Sequence, residues 1–296
     1  MTETQQIKEI DKLVSAQYSS SNYGELKALS KLFDTAFLKE LENILNKNSR
    51  MEKHYKDRYE VSVGWIDKIP LAKFVHAVND VNGNPIKTKM ELGDLLLIYT
   101  HNRINITSKG TEVQSAENRA AIVQAKIAGD KNPKVPIAKI SDSRVSSTSK
   151  ELALLSSWPE FDLYQTSKSK TPLLNNIQLD STKPNAKFAG YNSKKWYIGR
   201  PVYEEECKES MGSLIIGMLK GREGEDFDIS KSSDWDRLIE TLVVTCGKYK
   251  LPNFLFPGST GDRYLTIPKK PLIFFFSFFK PKKFPIVVIN RIVQEG

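Results

Sequence analysis

Two apolar segments, "MELGDLLLIYT" at 90–100 and "AAIVQAKIA" at 120–128, constrain the fold of this chain more than any other feature. Near-continuous apolar runs of this length, rich in Leu, Ile and Val, are strands covered on both faces rather than strands with one wet side. They predict an α/β fold in which a mixed β-sheet is flanked by helices. The covering helix is predicted at residues 25–46, "ELKALSKLFDTAFLKELENILN", where Leu26, Leu29, Phe33, Phe37, Leu41 and Ile44 recur at helical spacing.

The rest of the chain is organised around these elements. Residues 1–24 read as a polar lead-in with a short helix. Residues 59–78 read as strand, turn, strand, followed by "NDVNGNP", in which Asn82-Gly83 is the turn pivot. The Ser-, Lys-, Asn- and Pro-rich stretch at 165–195 reads as a loop or insertion. A second helix is predicted over "SSDWDRLIETLVVTCGKY", with Ser233 and Asp236 at capping-box spacing and Trp235, Leu238, Leu242 and Cys246 on one face. Residues 264–293 read as two strands. There is no internal repeat and no sharp linker, so the expected organisation is one domain: a lead-in at 1–24, a core at 25–160 and a C-terminal elaboration at 161–296 packed on it.

Composition narrows the function classes. Lys and Arg outnumber Asp and Glu 44 to 35 over 296 residues, a net charge of +9, which permits a polyanionic partner without demanding one. Two cysteines without CxxC spacing and three scattered histidines (His54, His76, His101) argue against a zinc site. The N-terminal segment has no apolar stretch of the secretory kind, and the longest apolar run, "PLIFFFSFF" at 271–279, is about half the length a bilayer requires. A cytoplasmic protein without a membrane partner is expected, with that run as a buried strand or a lysine-guarded edge.

The two core strands carry polar residues where a dry interior is expected. Side chains alternate along a strand, so Gln124 and Lys126 share a face with Ile122 while Val123, Ala125 and Ile127 take the other. A lysine is seldom buried without a partner, and Asp94 on the neighbouring segment is available. Treating 25–46 as one helix at about 100° per residue, Glu40 falls on the apolar stripe, about 20° from Leu29 and Phe33 and about 40° from Ile44, and Glu42 on the wet side. Two readings stand at this point: a structural ion-pair cluster of Glu40, Asp94 and Lys126, or a hydrolytic Mg²⁺ site, since carboxylate and amide oxygens suit a hard cation.

Glu in a leading helix, Asp at one strand and (D/E/Q)xK on the next resembles the PD-(D/E)xK, or restriction-endonuclease-like, nuclease superfamily. Glu40, Asp94, Gln124 and Lys126 match its QxK variant, similar to Mrr-type enzymes, over residues 25–160. The resemblance implies a restriction-endonuclease-like sheet and a Mg²⁺-dependent endonuclease hydrolysing DNA phosphodiesters in restriction or phage defence, with Mn²⁺ able to substitute. It implies Asp94 as the main metal ligand, Gln124 and the Ala125 carbonyl as further ligands, and Glu40 as a direct or water-mediated one. Lys126 would position the attacking water. Gly93 stands where the family's nominal proline precedes the aspartate, and glutamine replaces the usual acid. Glu91 would point to the opposite face of a regular strand, unless a bulge at Gly93 intervenes.

DNA contacts are expected from the basic segments. These are Lys168 and Lys170 in "SKSK", and Lys194, Lys195 and Arg200 in "SKKWYIGR", where aromatics interleave with charge in a pattern that also suits single-strand stacking, together with the lysines of 267–283. A helicase or sensor subunit is a candidate partner and a dimer a candidate assembly. A catalytically silent nuclease-like domain that binds nucleic acid or a partner protein is the alternative reading.

Overall fold

The computed structural model describes residues 1–18, 23–49, 51–52, 55–66, 70–107, 110–141, 144–192, 195–244 and 284–295. In chain order the elements are α1 (Glu3–Ala16), α2 (Glu25–Ser30), a 3₁₀ turn (Lys31–Phe33), α3 (Thr35–Asn46), β1 (Met51–Glu52), β2 (Tyr55–Ile66), β3 (Leu71–Phe74), β4 (Met90–Glu91), β5 (Leu95–Thr107) and β6 (Gly110–Ile127). There follow α4 (Ser147–Ser157), β7 (Phe161–Tyr164), β8 (Leu174–Ile177), β9 (Ala186–Asn192), β10 (Lys195–Gly199), β11 (Glu209–Ser210), α5 (Met211–Leu219), β12 (Glu225–Asp226), α6 (Asp234–Val244) and β13 (Phe284–Glu295).

The fold is mixed α/β. Its main sheet runs β1-β2-β13-β5-β6-β9-β10-β11 with β12 beside β6, and a smaller sheet runs β4-β3-β7-β8. The two predicted apolar segments are neighbours: β5 and β6 form an antiparallel pair with Leu95 opposite Val123 and Leu97 opposite Ala121. β13 lies parallel to β5 and antiparallel to β2, and β9 lies parallel to β6, which makes the sheet mixed. Residues beyond 160 therefore supply β9, β10 and the central β13 of the same sheet.

Alternation along these strands separates two cores. Leu96, Ile98, Ile122, Phe188, Ile286 and Val288 pack towards α4, α6 and the small sheet. Leu95, Leu97, Val123, Ala125, Val287 and Ile289 pack towards α1, α2, α3 and α5. Over the apolar runs of β5 and β6 both faces of the sheet are covered.

Several local expectations are met by visible chemistry. Gly83 adopts φ 81° in the 80–84 turn, where the Asp80 side chain accepts from Asn82 N at 3.0 Å and Asn84 N at 2.9 Å. At the start of α6, Asp236 N donates to Ser233 Oγ at 3.1 Å and Ser233 N donates to Asp236 Oδ2 at 3.2 Å, a reciprocal cap with Asp in place of Glu. Cys246 and the apolar run at 271–279 lie outside the described residues, as does the first of the two strands expected at 264–293; β13 is the second.

Three expectations are corrected. The helix at 25–46 is not continuous: Asp34 is extended (ψ 139°) and caps α3 by accepting from Ala36 N at 2.9 Å. A side chain that caps one helix competes with continuation of the preceding one. The polar stretch at 101–118, which parts the two apolar segments in the sequence and by its polarity reads as a separator, is largely strand, because β13 pairs with β5 as far as Glu295 and satisfies its backbone independently of side-chain polarity. The expected insertion at 165–195 contains β8 and the fully interior β9, whose Lys187 is tolerated because Glu223 stands 2.7 Å from its ammonium.

Gly93 is where β4 turns into β5 across the surface of β6. A Cβ there would stand 2.5 Å from Ile122 Cγ2 and 3.3 Å from the Val123 carbonyl oxygen, neither of which can move in a packed sheet. Gly93→Ala is expected to cost about 1–3 kcal/mol, read as a lower urea midpoint with an unchanged denaturant slope.

Candidate functional site

The polar residues of the two core strands meet at one end of the sheet, where β5 begins and β6 ends. Asp94 is tied to β6 by its own N–H, which donates to the Val123 carbonyl at 2.9 Å. Its carboxylate Oδ2 accepts from Ala125 N at 2.9 Å and from the Gln124 amide. Along an extended strand a residue's N–H and C=O lie on the same edge, so the Ala125 carbonyl, beyond the last β5 partner at Val123, opens on this side as well. Gln124 is fully buried, and with its amide nitrogen spent on Asp94 its Oε1 has no hydrogen-bond partner. A buried amide oxygen left unpaired costs free energy and marks a place where a donor or cation would be accommodated.

Lys126 lies two residues further along the same face, 7% exposed. Its ammonium is 2.8 Å from Glu151 Oε2 on α4 and 3.9 Å from Glu25 Oε1 at the start of α2. Glu25 is the most exposed of the three acids beside Lys126. It is held there from behind: Tyr18 donates its hydroxyl hydrogen to the Ala28 carbonyl at 3.0 Å, and Trp196 Nε1 donates to the Tyr18 hydroxyl at 2.6 Å.

Electrostatics follow from this packing. Burial pushes the Asp94 carboxyl up to about 7, Glu25 and Glu151 push the same way, and Lys126 and the Ala125 N–H oppose them. For Lys126, burial works against the ammonium, but Glu151, Asp94 and Glu25 together outweigh it and the pKa is raised. Burial also raises Glu25, with Glu151 and Glu91 adding to the effect against Lys126. Glu91, expected on the far face of a regular strand, thus acts on the cluster, because β4 ends at Glu91 and the chain turns at Gly93 before β5.

Asp94, Gln124, Ala125 and Lys126 are therefore brought together, and Glu40 is not. It is exposed and accepts from Asn43 Nδ2 at 3.3 Å. Its predicted phase rested chiefly on Leu29 and Phe33, which precede the break at Asp34, so those angles do not carry across; Ile44, within α3, sits at the near edge of the buried stripe. Within α3 the buried set is Phe37, Leu38, Leu41, Ile44 and Leu45, which leaves Glu40 at the flank. Glu42, expected on the wet side, instead accepts from Val61 N at 2.8 Å and ties α3 to β2.

Glu25 and Glu151 take the acidic places. Glu151 was legible by the test applied to Glu40: it lies on the same helical face as Thr148, Leu154 and Leu155, at i−3, i+3 and i+4. Glu25 carries no such signal, since its position depends on where α2 is docked.

Among the described residues no three Asp, Glu, His or Cys side chains converge as a ready metal cage; the three acids surround Lys126 rather than a common vacancy. The donor set that suits a hard cation is mixed: the Asp94 carboxylate, the unpartnered Gln124 Oε1 and the Ala125 carbonyl.

No family model, curated protein or solved structure matches this chain. The site thus stands on its own geometry.

Of the expected nucleic-acid contacts, Lys168 and Lys170 are exposed in the β7–β8 loop and Lys195 is exposed at the start of β10. Arg200 is exposed but engaged by Glu205 through contacts of 2.9 to 3.1 Å. Lys194 and the lysines of 267–283 lie outside the described residues. The indole of Trp196 is buried and bonded to Tyr18, so stacking of single-stranded bases on it is overturned.

The raised pKa of Asp94 makes a stability prediction. A carboxyl whose folded pKa exceeds its unfolded value binds protons preferentially in the native state. Its contribution therefore falls as pH rises from the ordinary carboxylate range to about 7, and is flat above. Asp94→Asn is expected to remove this fall, so that its stability relative to the wild type rises by on the order of a few kcal/mol between pH 4 and 8. Urea unfolding across that range checks it; a wild-type profile that rises with pH in parallel with the variant refutes it.

Proposed function

We propose that this chain is a metal-dependent nuclease that hydrolyses DNA phosphodiester bonds, of the restriction or phage-defence kind. The observation that carries the reading is the convergence of Asp94, Gln124, Ala125 and Lys126 at one sheet end, with a buried amide oxygen that has no partner. The resemblance to the QxK form of the PD-(D/E)xK superfamily supports it, without Glu40 and with Glu25 and Glu151 as the acids beside Lys126.

Asp94, Gln124 Oε1 and the Ala125 carbonyl are the groups that would hold Mg²⁺ or Mn²⁺. When bound, the ion would supply a more acidic water and charge neutralisation at the scissile phosphate. Lys126 is kept protonated by its carboxylate neighbours, so it can steer the attacking water and stabilise negative charge on the phosphate. Glu151 and Glu25 hold that ammonium in place and reach it from separate elements. Asp94 must be ionised to bind a cation, so metal uptake releases protons below about pH 7.

A second reading is favoured by the near-complete burial of Lys126 and its 2.8 Å pair with Glu151: a closed ion cluster in a catalytically silent nuclease-like domain that binds nucleic acid or a protein. A helicase or sensor subunit and a dimeric state are partners compatible with either reading. Among the described residues no helix is long and apolar enough to cross a membrane.

Plasmid nicking with Mg²⁺, with Mn²⁺ and with EDTA separates the two. Asp94→Ala and Lys126→Ala are expected to lower nicking by roughly 100-fold or more, and Glu151→Gln and Glu25→Gln by roughly tenfold. Glu40→Ala should stay within about twofold of the wild type and Gln124→Glu should keep activity. Cleavage by the Asp94→Ala protein, or by the wild type in EDTA, refutes the metal mechanism; a folded wild type inert with both metals supports the silent domain.

A further inference from the structure

Next to the buried cluster, three segments meet that contain no Asp or Glu: 85–90, 146–150 and 165–179. Between them they carry Lys87, Lys89, Lys150, Lys168 and Lys170. Their proximity is shown by hydrogen bonds. Lys150 Nζ donates to Thr88 Oγ1 at 3.1 Å and to the Lys89 carbonyl at 3.4 Å. Lys89 Nζ donates to the carbonyls of Ser169 at 2.6 Å, Ser167 at 3.3 Å and Thr166 at 3.4 Å, and stands 3.6 Å from the centre of the Tyr164 ring.

Lys89 is thus a strut. Its charge is spent on the loop backbone and on an aromatic face, and this fixes the tip that bears Lys168 and Lys170. The tip is tightened by Thr166 Oγ1, which accepts from Ser169 N at 3.1 Å. Lys87, Lys168 and Lys170 are left exposed, with no acid in the surrounding segments to pair with them. By contrast Arg200 carries its own counter-charge in Glu205.

The surface is joined to the cluster by two elements. On α4, Lys150 faces this surface and the next residue, Glu151, holds Lys126. From Lys87 to Lys89 the chain runs through β4 to Asp94. We propose that this face is the path of the nucleic-acid phosphate backbone: Lys87, Lys168 and Lys170 contact successive phosphates, Lys89 and Lys150 are positioning residues, and Arg200, paired with Glu205, takes no part. The proposal rests on the nuclease reading for its substrate class. Flexible lysines with no groove-reading helix give contacts that are sequence-blind and sensitive to salt.

The test is the affinity of the full chain for a labelled duplex of about 20 base pairs, measured by anisotropy in EDTA over a salt series. Lys168→Gln/Lys170→Gln is expected to weaken binding about tenfold near 0.1 M salt and to reduce the salt slope by about 0.9 for each lost contact, with Lys87→Gln adding to both. Arg200→Gln should change affinity less than about twofold. Lys89→Met should weaken binding and also open the 165–170 loop to proteolysis, a readout that loss of one surface charge alone would not move. Equal losses at Arg200 and on the Lys168 side, no loss on the Lys168 side, or no duplex binding at low salt overturns the path. Metal-dependent nicking that survives with binding indifferent to these lysines overturns the path alone; patch-dependent binding without nicking in either metal overturns the nuclease reading alone.

Discussion

An ammonium group removed from water stays charged only if anions are brought to it, and Lys126 imposes that condition on this fold. Its position on β6 is set by the alternation that also buries Ile122 and Gln124, so it cannot turn outward without exposing the rest of the strand face. The anions come to it instead. Glu151 arrives on α4, Glu25 at the start of α2, and Asp94 at the mouth of β5, so elements on both sides of the main sheet close on one strand end.

That closure needs backbones to approach closely. The Asp94 carboxylate reaches Ala125 N because the preceding glycine lets the chain lie on Ile122 and Val123. The resemblance to restriction-type nucleases places a proline near this point; glycine serves the approach that this packing demands. Trp196, which the pattern "KKWY" suggested as a stacking platform, works in the same direction from the interior, since it bonds Tyr18, whose hydroxyl in turn bonds the Ala28 carbonyl of α2.

The cluster combines features that pull in opposite directions energetically. A buried carboxyl raised to about 7 and an amide oxygen with no partner are unfavourable in an isolated core. A purely structural ion pair is replaced without loss by apolar residues in many proteins. Three acids, an amide and a lysine meet at this sheet end, and under the proposed function a hard cation would satisfy both the unpaired oxygen and the raised carboxyl.

Much of the centre was legible in the residues themselves. Apolar runs around Asp94 and Gln124-Ala125-Lys126 determined two adjacent strands dry on both faces, and strand alternation determined that Gln124 and Lys126 share a face, because both follow from local periodicity. Glu151 was legible by helical spacing. Glu40 was misplaced because a single extended residue, Asp34, resets helical phase, and capping is a local competition that a periodic count passes over. The interior place of β9 and β13 depends on pairing partners distant in sequence, Ile122 with Ala186 and Leu96 with Ile286. What the sequence by itself determined is thus the chemistry available on each strand face. Which acids answer Lys126, and which lysines line the way to it, was decided only by tertiary packing, since a charge finds its partner through space and the docking of α2, α4 and the 165–170 loop leaves no trace in local periodicity.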